Sequence, residues 1–401
     1  MPVALDPAAP DLGRWLRPGD GVAVGQCCAE PTALVEAVIA SGTDGLRLFA
    51  GMSYTDVFSA AAAAGIQVRS YGGLGRVGRV PGLEVIACNY SALPALFAAG
   101  RLPGDVLLVQ LSPPDAEGRC SFGPAAEYLV DALPHARVVI AEVNARCPRT
   151  AGASVAYDEL TAVLHTDREL ATGPTPAPGP VEARIAEHVA ALVRDGDTIQ
   201  LGVGALPEAI LGALAGHRDL GVHGGMITDG VLALIDAGVV TNARKAAPDT
   251  GLTVTGAALG SAAMLDALDG RTDIVFRATS RTHAPGDILR AGRLATINGA
   301  LQVDLDGNVG NEAIGPRRIG AIGGQGDFLR GAAAGGGTPI IALRSAGIVE
   351  RLDGPLSVPR ADVDWVVTEH GARSLRGLTD AARRAALTEL SPAIQEVPPC
   401  P

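Results

Sequence analysis

Gly202-Val203-Gly204 followed by Ala205-Leu206-Pro207 has the form of a strand end, a tight loop and a helix start. A Gly-x-Gly loop in that place aims backbone N–H groups and the positive end of the helix dipole at one spot. The geometry suits a bound carboxylate or the oxyanion of an acyl-transfer reaction. A second glycine-rich stretch, Gly320-Ala321-Ile322-Gly323-Gly324-Gln325-Gly326-Asp327, lets the backbone approach a ligand closely. Between them lies Leu220 to Gly230, LGVHGGMITDG, whose only titratable groups are His223 and Asp229. A third glycine motif, Gly73-Leu74-Gly75-Arg76-Val77-Gly78, fits GxGxxG after an expected strand at 66–70. A dinucleotide fingerprint needs a helix opening at its third glycine, and Pro81-Gly82 leaves no room for one. No nucleotide cofactor is expected there.

These loops need elements to hold them, and a short internal repeat supplies the plan. Arg17-Pro18-Gly19-Asp20-Gly21-Val22-Ala23-Val24-Gly25 precedes Pro31 and a helical run over 32–39. Arg194-Asp195-Gly196-Asp197-Thr198-Ile199-Gln200-Leu201-Gly202 precedes Pro207 and another helical run. Each copy reads as a Gly-Asp turn, a short apolar strand, a loop and a helix with proline at its start. The proline-rich stretch 172–180 is a stiff linker. The expected fold is α/β, with two related open α/β domains at 1–172 and 181–401. Further buried strands are expected at 106–109, 138–141, 339–343 and 363–367 from their β-branched runs. Residues 294–305 read as one strand entering the turn at Asp306-Gly307, with Gln302 and Asp304 sharing a face.

The 401 residues are 47% apolar with few aromatics, which suits parallel layers built from Ala, Val, Leu and Ile. A net charge of −11 disfavours nucleic acid and anionic membrane surfaces as partners. Basic groups are nearly all arginine, and Lys245 is the one lysine. The six cysteines, Cys27, Cys28, Cys88, Cys120, Cys147 and Cys400, show no CxxC or metal-site spacing. A reduced, cytoplasmic protein without a metal is expected, since neither a secretion signal nor a run of transmembrane length is present.

Together, Gly202–Pro207 and Leu220–Gly230 resemble the acetyl-CoA hydrolase/transferase family, class I CoA-transferases that include the 4-hydroxybutyrate CoA-transferases. Further segments carry the likeness in the family's order. Gly320–Ala332 is similar to "GxGGqxDFxrGA", Glu117–Gly123 to "hGyfslG", Cys147–Gly152 to "mPrtxGd", and Val367–Gly377 to "VTEyGiAxLrG". The resemblance implies an acyl-CoA thioester as small-molecule substrate and a homo-oligomer, with a homodimer the simplest form. It also implies that Gly202, Val203, Gly204, Ala205 and Leu206, with Gly320, Gly323 and Gly324, border the thioester.

The chain departs from the family where the chemistry is expected. The family's "gihSEmisDG" carries a catalytic Glu that forms a glutamyl-CoA thioester, and Gly225 stands at that position. Residues 220–228 contain no acid, so a shift of register does not restore one. Gln302 replaces a common Glu in the segment 297–305, and Arg281-Thr282-His283-Ala284-Pro285 has lost an expected Asn. The space left at Gly225 is expected to admit water or a bulkier acyl group. Candidate acid–base groups are His223, Asp229 and Asp304, with Gln302 beside the last. Each has a plainer role open to it: packing for His223, a helix cap for Asp229, a turn for Asp304. The expected function is hydrolysis or direct acyl transfer on an acyl-CoA, the alternatives being an acyl-CoA-binding scaffold or an ordinary CoA-transferase.

Overall fold

A computed structural model describes residues 1–174 and 176–395, so Cys400 lies outside the described residues. The chain forms two compact units, Met1–Gly173 with Val254–Thr282, and Pro174–Thr253 with the chain from His283 onward. The units therefore do not follow a single cut at the linker. Segment 254–282 joins the first unit through strand Ile274–Phe276, which pairs in parallel with Ala151–Gly152. Within that unit Ser280 N also donates to Asp131 Oδ2 at 3.1 Å.

The first unit is built on eight strands: β1 Val3–Ala4, β2 Gly21–Val24, β3 Arg47–Phe49, β4 Gln67–Ser70, β5 Glu84–Val85, β6 Val106–Leu111, β7 Val138–Asn144 and β8 Ala162–Thr166. Their order across the sheet is β1-β8-β7-β6-β2-β3-β4-β5, and neighbouring strands run parallel. Every residue of β2 and β6 is buried, as expected of strands covered on both faces. Helix α1, Thr32–Ala40, covers one face and contributes Leu34, Val35 and Val38 to a core that includes Leu48, Phe58 and Leu108.

The second unit repeats the plan. Its strands are β9 Thr198–Leu201, β10 Gly221–Val222, β11 Leu294–Gly299, β12 Thr338–Ala342, β13 Trp365–Thr368 and β14 Gly371–Ser374. They lie in the order β10-β9-β11-β12-β13-β14, parallel except for the last pair. Helix α2, Pro180–Ala190, begins at the last proline of the linker. Helices α3 Ala205–Ala213, α4 Asp229–Asp236, α5 Pro285–Arg290 and α6 Gln325–Ala334 follow.

The internal repeat extends further than its sequence. Gly19 and Gly196 turn with φ of 83° and 82°. Asp20 and Asp197 each accept from the backbone N–H three residues earlier, at 2.8 and 2.9 Å. Each also pairs with an arginine just ahead of another strand of its own sheet, Arg137 before β7, two strands from β2, and Arg293 before β11, next to β9. The prolines differ in detail: Pro31 is the cap of α1, whereas Pro207 is the third residue of α3.

Two local expectations are corrected. Residues 294–305 are not one strand, because β11 ends at Gly299 and Gln302–Asp304 pairs in a separate small sheet with Val309–Gly310 and Ile348–Val349. At the end of the glycine motif at 73–78 a single 3-10 turn, Val77–Arg79, does form, although no α-helix opens there.

Candidate active site

In an open parallel sheet, ligands bind beyond the carboxyl ends of the strands where neighbouring connections leave in opposite directions. In the second unit that point is β9, flanked by β10 on one side and β11 on the other. The loop leaving β9 is Gly202-Val203-Gly204, and the segment leaving β10 is His223-Gly224-Gly225. The sequence-predicted loop thus sits at the switch point. Gly204 caps α3 with φ 122° and ψ −178°, a conformation essentially reserved for glycine. It turns the chain so that the first N–H groups of α3 are left to an outside acceptor. Residues 202–206 are all partly exposed.

Beneath the loop, side chains from β9 and β11 form a small polar network. Gln200 Oε1 accepts from the Thr296 hydroxyl and, at 3.3 Å, from Asn298 Nδ2, which also donates to Thr296 Oγ1 at 2.7 Å. Gln325, the first residue of α6, donates to Gly299 O at 3.0 Å. Its Oε1 is buried without a hydrogen-bond partner, as is the hydroxyl of Thr228. Both atoms are acceptors suited to a water or a ligand donor.

The space beside Gly225 is not open. A Cβ built on Gly225 would lie 2.8 Å from His283 Cε1 and 3.1 Å from its Nε2. One built on Gly324 would lie 2.5 Å from the same Nε2 and 2.7 Å from Cδ2. The imidazole therefore stands in a slot that exists because both residues lack side chains. Phe328, one turn into α6, packs on the ring with centroids 4.8 Å apart. Phe328 is in turn held by Ile288, Leu294 and Ala332. His283 is 4% exposed, and burial, with a smaller contribution from His223, pushes its pKa down to about 3. The ring is neutral at working pH. The expectation of a vacancy for water or acyl group at Gly225 is thus overturned by a residue that sequence reading had noted only as the loss of an Asn.

The predicted acid–base groups fall into different surroundings. His223 is fully buried at the end of β10, with its N–H on Ile199 O at 3.2 Å, and acts electrostatically on His283. Asp229 is the first residue of α4 rather than its cap, a place where its charge favours the helix dipole; the cap residue is Thr228. Asp304 organises its turn: Oδ1 accepts from Asp306 N and Asn308 N at 3.1 and 2.8 Å, and Oδ2 from Asn308 Nδ2 at 3.0 Å. Gln302 Oε1 accepts from Asp353 N at 3.0 Å. Both of these side chains tie loops together. Gly320 serves packing, since a Cβ there would meet Asn311 O at 2.3 Å, while Gly323 turns with φ 58°.

The first unit holds a second polar cluster that sequence reading missed. It lies at the corresponding switch point, where β2 is flanked by β3 and β6. Gln26, just beyond β2, donates to Tyr90 OH at 2.9 Å and to Glu127, and accepts from Met52 N and Tyr71 OH at 2.8 and 2.9 Å. Burial pushes Glu127 up to about 7 against the hydrogen bonds from Gln26 and Tyr90. It does the same for Glu30, also to about 7, against Ser53, Thr55 and Arg168. Cys27 and Glu127 both adopt left-handed backbone, φ 54° and 42°, beside this network. Burial raises the Cys27 and Cys147 thiols well above their usual range and Cys120 to about 11, so none of these is a ready thiolate. Among the described residues, no group of three or more His, Cys, Asp or Glu is arranged to hold a metal ion, and no helix is long and apolar enough to cross a membrane.

Known proteins share both sequence and fold with this chain. Residues 260–395 match the acetyl-CoA hydrolase/transferase C-terminal domain. A 4-hydroxybutyrate coenzyme A transferase from Clostridium kluyveri is 37% identical over 315 residues, 76% of this chain and 73% of that protein. The crystal structure of RipA from Yersinia pestis superposes with a TM-score of 0.88 at 30% identity, covering 97% of this chain and 94% of that one. That of a 4-hydroxybutyrate CoA-transferase from Porphyromonas gingivalis gives 0.79 at 32% identity, covering 95% and 93%. With the glycine loops at the switch point and a likeness that runs along most of the chain, the protein belongs to the acetyl-CoA hydrolase/transferase family of CoA-transferases.

Proposed function

We propose that the protein acts on an acyl-CoA thioester by hydrolysis or direct acyl transfer, without a glutamyl-CoA intermediate. One observation carries this reading. Position 225, where the family resemblance places the attacking carboxylate, is glycine, and the direction its side chain would take is filled by His283. Covalent catalysis of the family type requires a carboxylate at that point. Polarisation of the carbonyl does not. Backbone N–H groups of the 202–206 loop and of Gly323-Gly324, both partly exposed, are the donors proposed for the thioester oxygen.

The relatives support the substrate class, since the C. kluyveri and P. gingivalis proteins are CoA-transferases. The repeated turn, strand and ion pair support treating the two halves as related CoA-transferase-like domains. A cytoplasmic homo-oligomer that needs neither metal nor nucleotide completes the reading.

Thiol release from a panel of acyl-CoAs, with and without carboxylate or amine acceptors, tests it. Release of CoA thiol with at least one acyl group is expected. Measurable CoA binding with no release across the panel would instead leave an acyl-CoA-binding protein.

A further inference from the structure

Two glycines from separate glycine-rich segments frame one imidazole, and that coincidence calls for a chemical reason. The Nε2-bearing edge of His283 faces both glycines: the Gly225 direction meets Cε1 and Nε2, and the Gly324 direction meets Nε2 and Cδ2. Gly225 and Gly324 are themselves partly exposed, so this edge lies directly under the surface that the thioester is proposed to meet. Phe328 packs against the ring at a tilt of 57°. A group that merely filled a core would not need its polar edge turned toward the glycine loops. We propose that His283 is the catalytic base of this protein, occupying the place of the family's carboxylate and activating the water or acceptor that attacks the thioester. The inference rests on the acyl-CoA reading above.

The step balances without any further reagent. In the tautomer that carries its proton on Nδ1, Nε2 is the nitrogen that accepts a proton. A water oxygen forms a bond to the thioester carbonyl carbon as its proton passes to Nε2, and the carbonyl oxygen takes the negative charge. Collapse of that intermediate breaks the C–S bond. The departing CoA thiolate takes the proton back from Nε2, giving a carboxylic acid and CoA thiol. An acceptor hydroxyl, thiol or amine reacts in the same way, giving the corresponding ester, thioester or amide.

Burial keeps the ring neutral throughout the neutral pH range. The cost in basicity is offset within the reaction. Negative charge develops on the neighbouring oxyanion, and an opposite charge at close range in a desolvated site favours the imidazolium.

The experiment measures thiol release by the wild-type protein, His283→Ala and His283→Gln, each first shown to be folded by thermal melting. A positioned base contributes roughly 10²- to 10⁴-fold, so both variants should lose at least about 10²-fold in kcat with KM nearly unchanged. Added imidazole should restore part of the rate in His283→Ala, whose slot is empty, and none in His283→Gln, whose slot is filled. Wild-type kcat in either folded variant would overturn the role of His283 while leaving the acyl-CoA reading intact. Loss in both variants with no imidazole rescue would also overturn it, because a side chain that only packs the slot gives that pattern. Silence of the wild-type protein toward every acyl-CoA would overturn the acyl-CoA reading and this inference with it.

Discussion

A side chain at position 225 and the imidazole of His283 cannot occupy this structure together. The nearest atoms, a Cβ on Gly225 and His283 Cε1, would be 2.8 Å apart, closer than real carbon contacts allow. Glycine at 225 and histidine at 283 are therefore one structural feature.

The first prediction concerns that coupling. Gly225→Ala should destabilise the protein by about 1–3 kcal/mol through overpacking. In a His283→Ala background most of that cost should vanish, giving a coupling of at least about 1 kcal/mol in a double-mutant cycle read by chemical denaturation. Additive effects would mean that the ring moves aside freely. For the same reason Gly225→Glu alone should not create a working carboxylate, whereas Gly225→Glu with His283→Ala frees the space it needs.

Asp304 separates a turn from an acid. Its carboxylate accepts three hydrogen bonds within residues 304–308. Asp304→Ala should lower stability by about 1 kcal/mol or more, the cost of leaving three partly buried donors without their acceptor. The pH profile of thiol release should keep its shape. A lost acid or base limb in that profile would return Asp304 to the chemistry.

Gly204 tests the loop. Its φ of 122° and ψ of −178° make Gly204→Ala strained by about 1–3 kcal/mol. The strain falls on the loop that offers its N–H groups, so kcat/KM for acyl-CoA should drop while the protein still melts as a folded chain. An unchanged kcat/KM would remove the loop from the site.

The buried acids give a stability signature in pH. Unfolded, Glu30 and Glu127 ionise near 4.5; folded, near 7. Between those values the folded chain holds protons that the unfolded chain has released, so their contribution is full below about 4.5 and is lost as pH rises through 7. His283 acts in the opposite sense. Its folded pKa of about 3 lies below the ordinary 6.5, so its contribution is full above 6.5 and declines as pH falls toward 3. Urea melts across this range should show a flatter dependence above pH 4.5 for Glu127→Gln. They should show a smaller acid loss for His283→Gln. Parallel curves for wild type and Glu127→Gln would mean that Glu127 is ionised in the folded protein.

Much of the architecture was legible because it depends on local patterns. The repeated Gly-Asp turn, the runs of β-branched residues and the prolines each act through backbone geometry, and β2, β6, β9 and β12 formed where those patterns placed them. The break after Gly299 was not legible, since Ala300 and Leu301 continue the apolar alternation and only tertiary pairing divides β11 from Gln302–Asp304. The glycine loop at 202–206 and the absence of an acid at 220–228 could be read directly. His283 could not be placed against Gly225, because the two lie 58 positions apart and the contact is made by folding. The signal was nevertheless present: position 283 departed from the expected motif along with position 225, and the arrival of an imidazole could have been weighed as a replacement. The network around Gln26 gave no such signal, since its members are scattered from Gln26 to Glu127 and none sits in a chemical motif.

Without a carboxylate at position 225, acyl-CoA chemistry is proposed to proceed here without a covalent glutamyl-CoA. Its most direct test is intact-mass measurement of the protein after incubation with a turned-over acyl-CoA, with and without borohydride. The expected result is thiol release with the protein mass unchanged in both samples. A CoA adduct, or a borohydride-reduced product mapped to a glutamate, would contradict it.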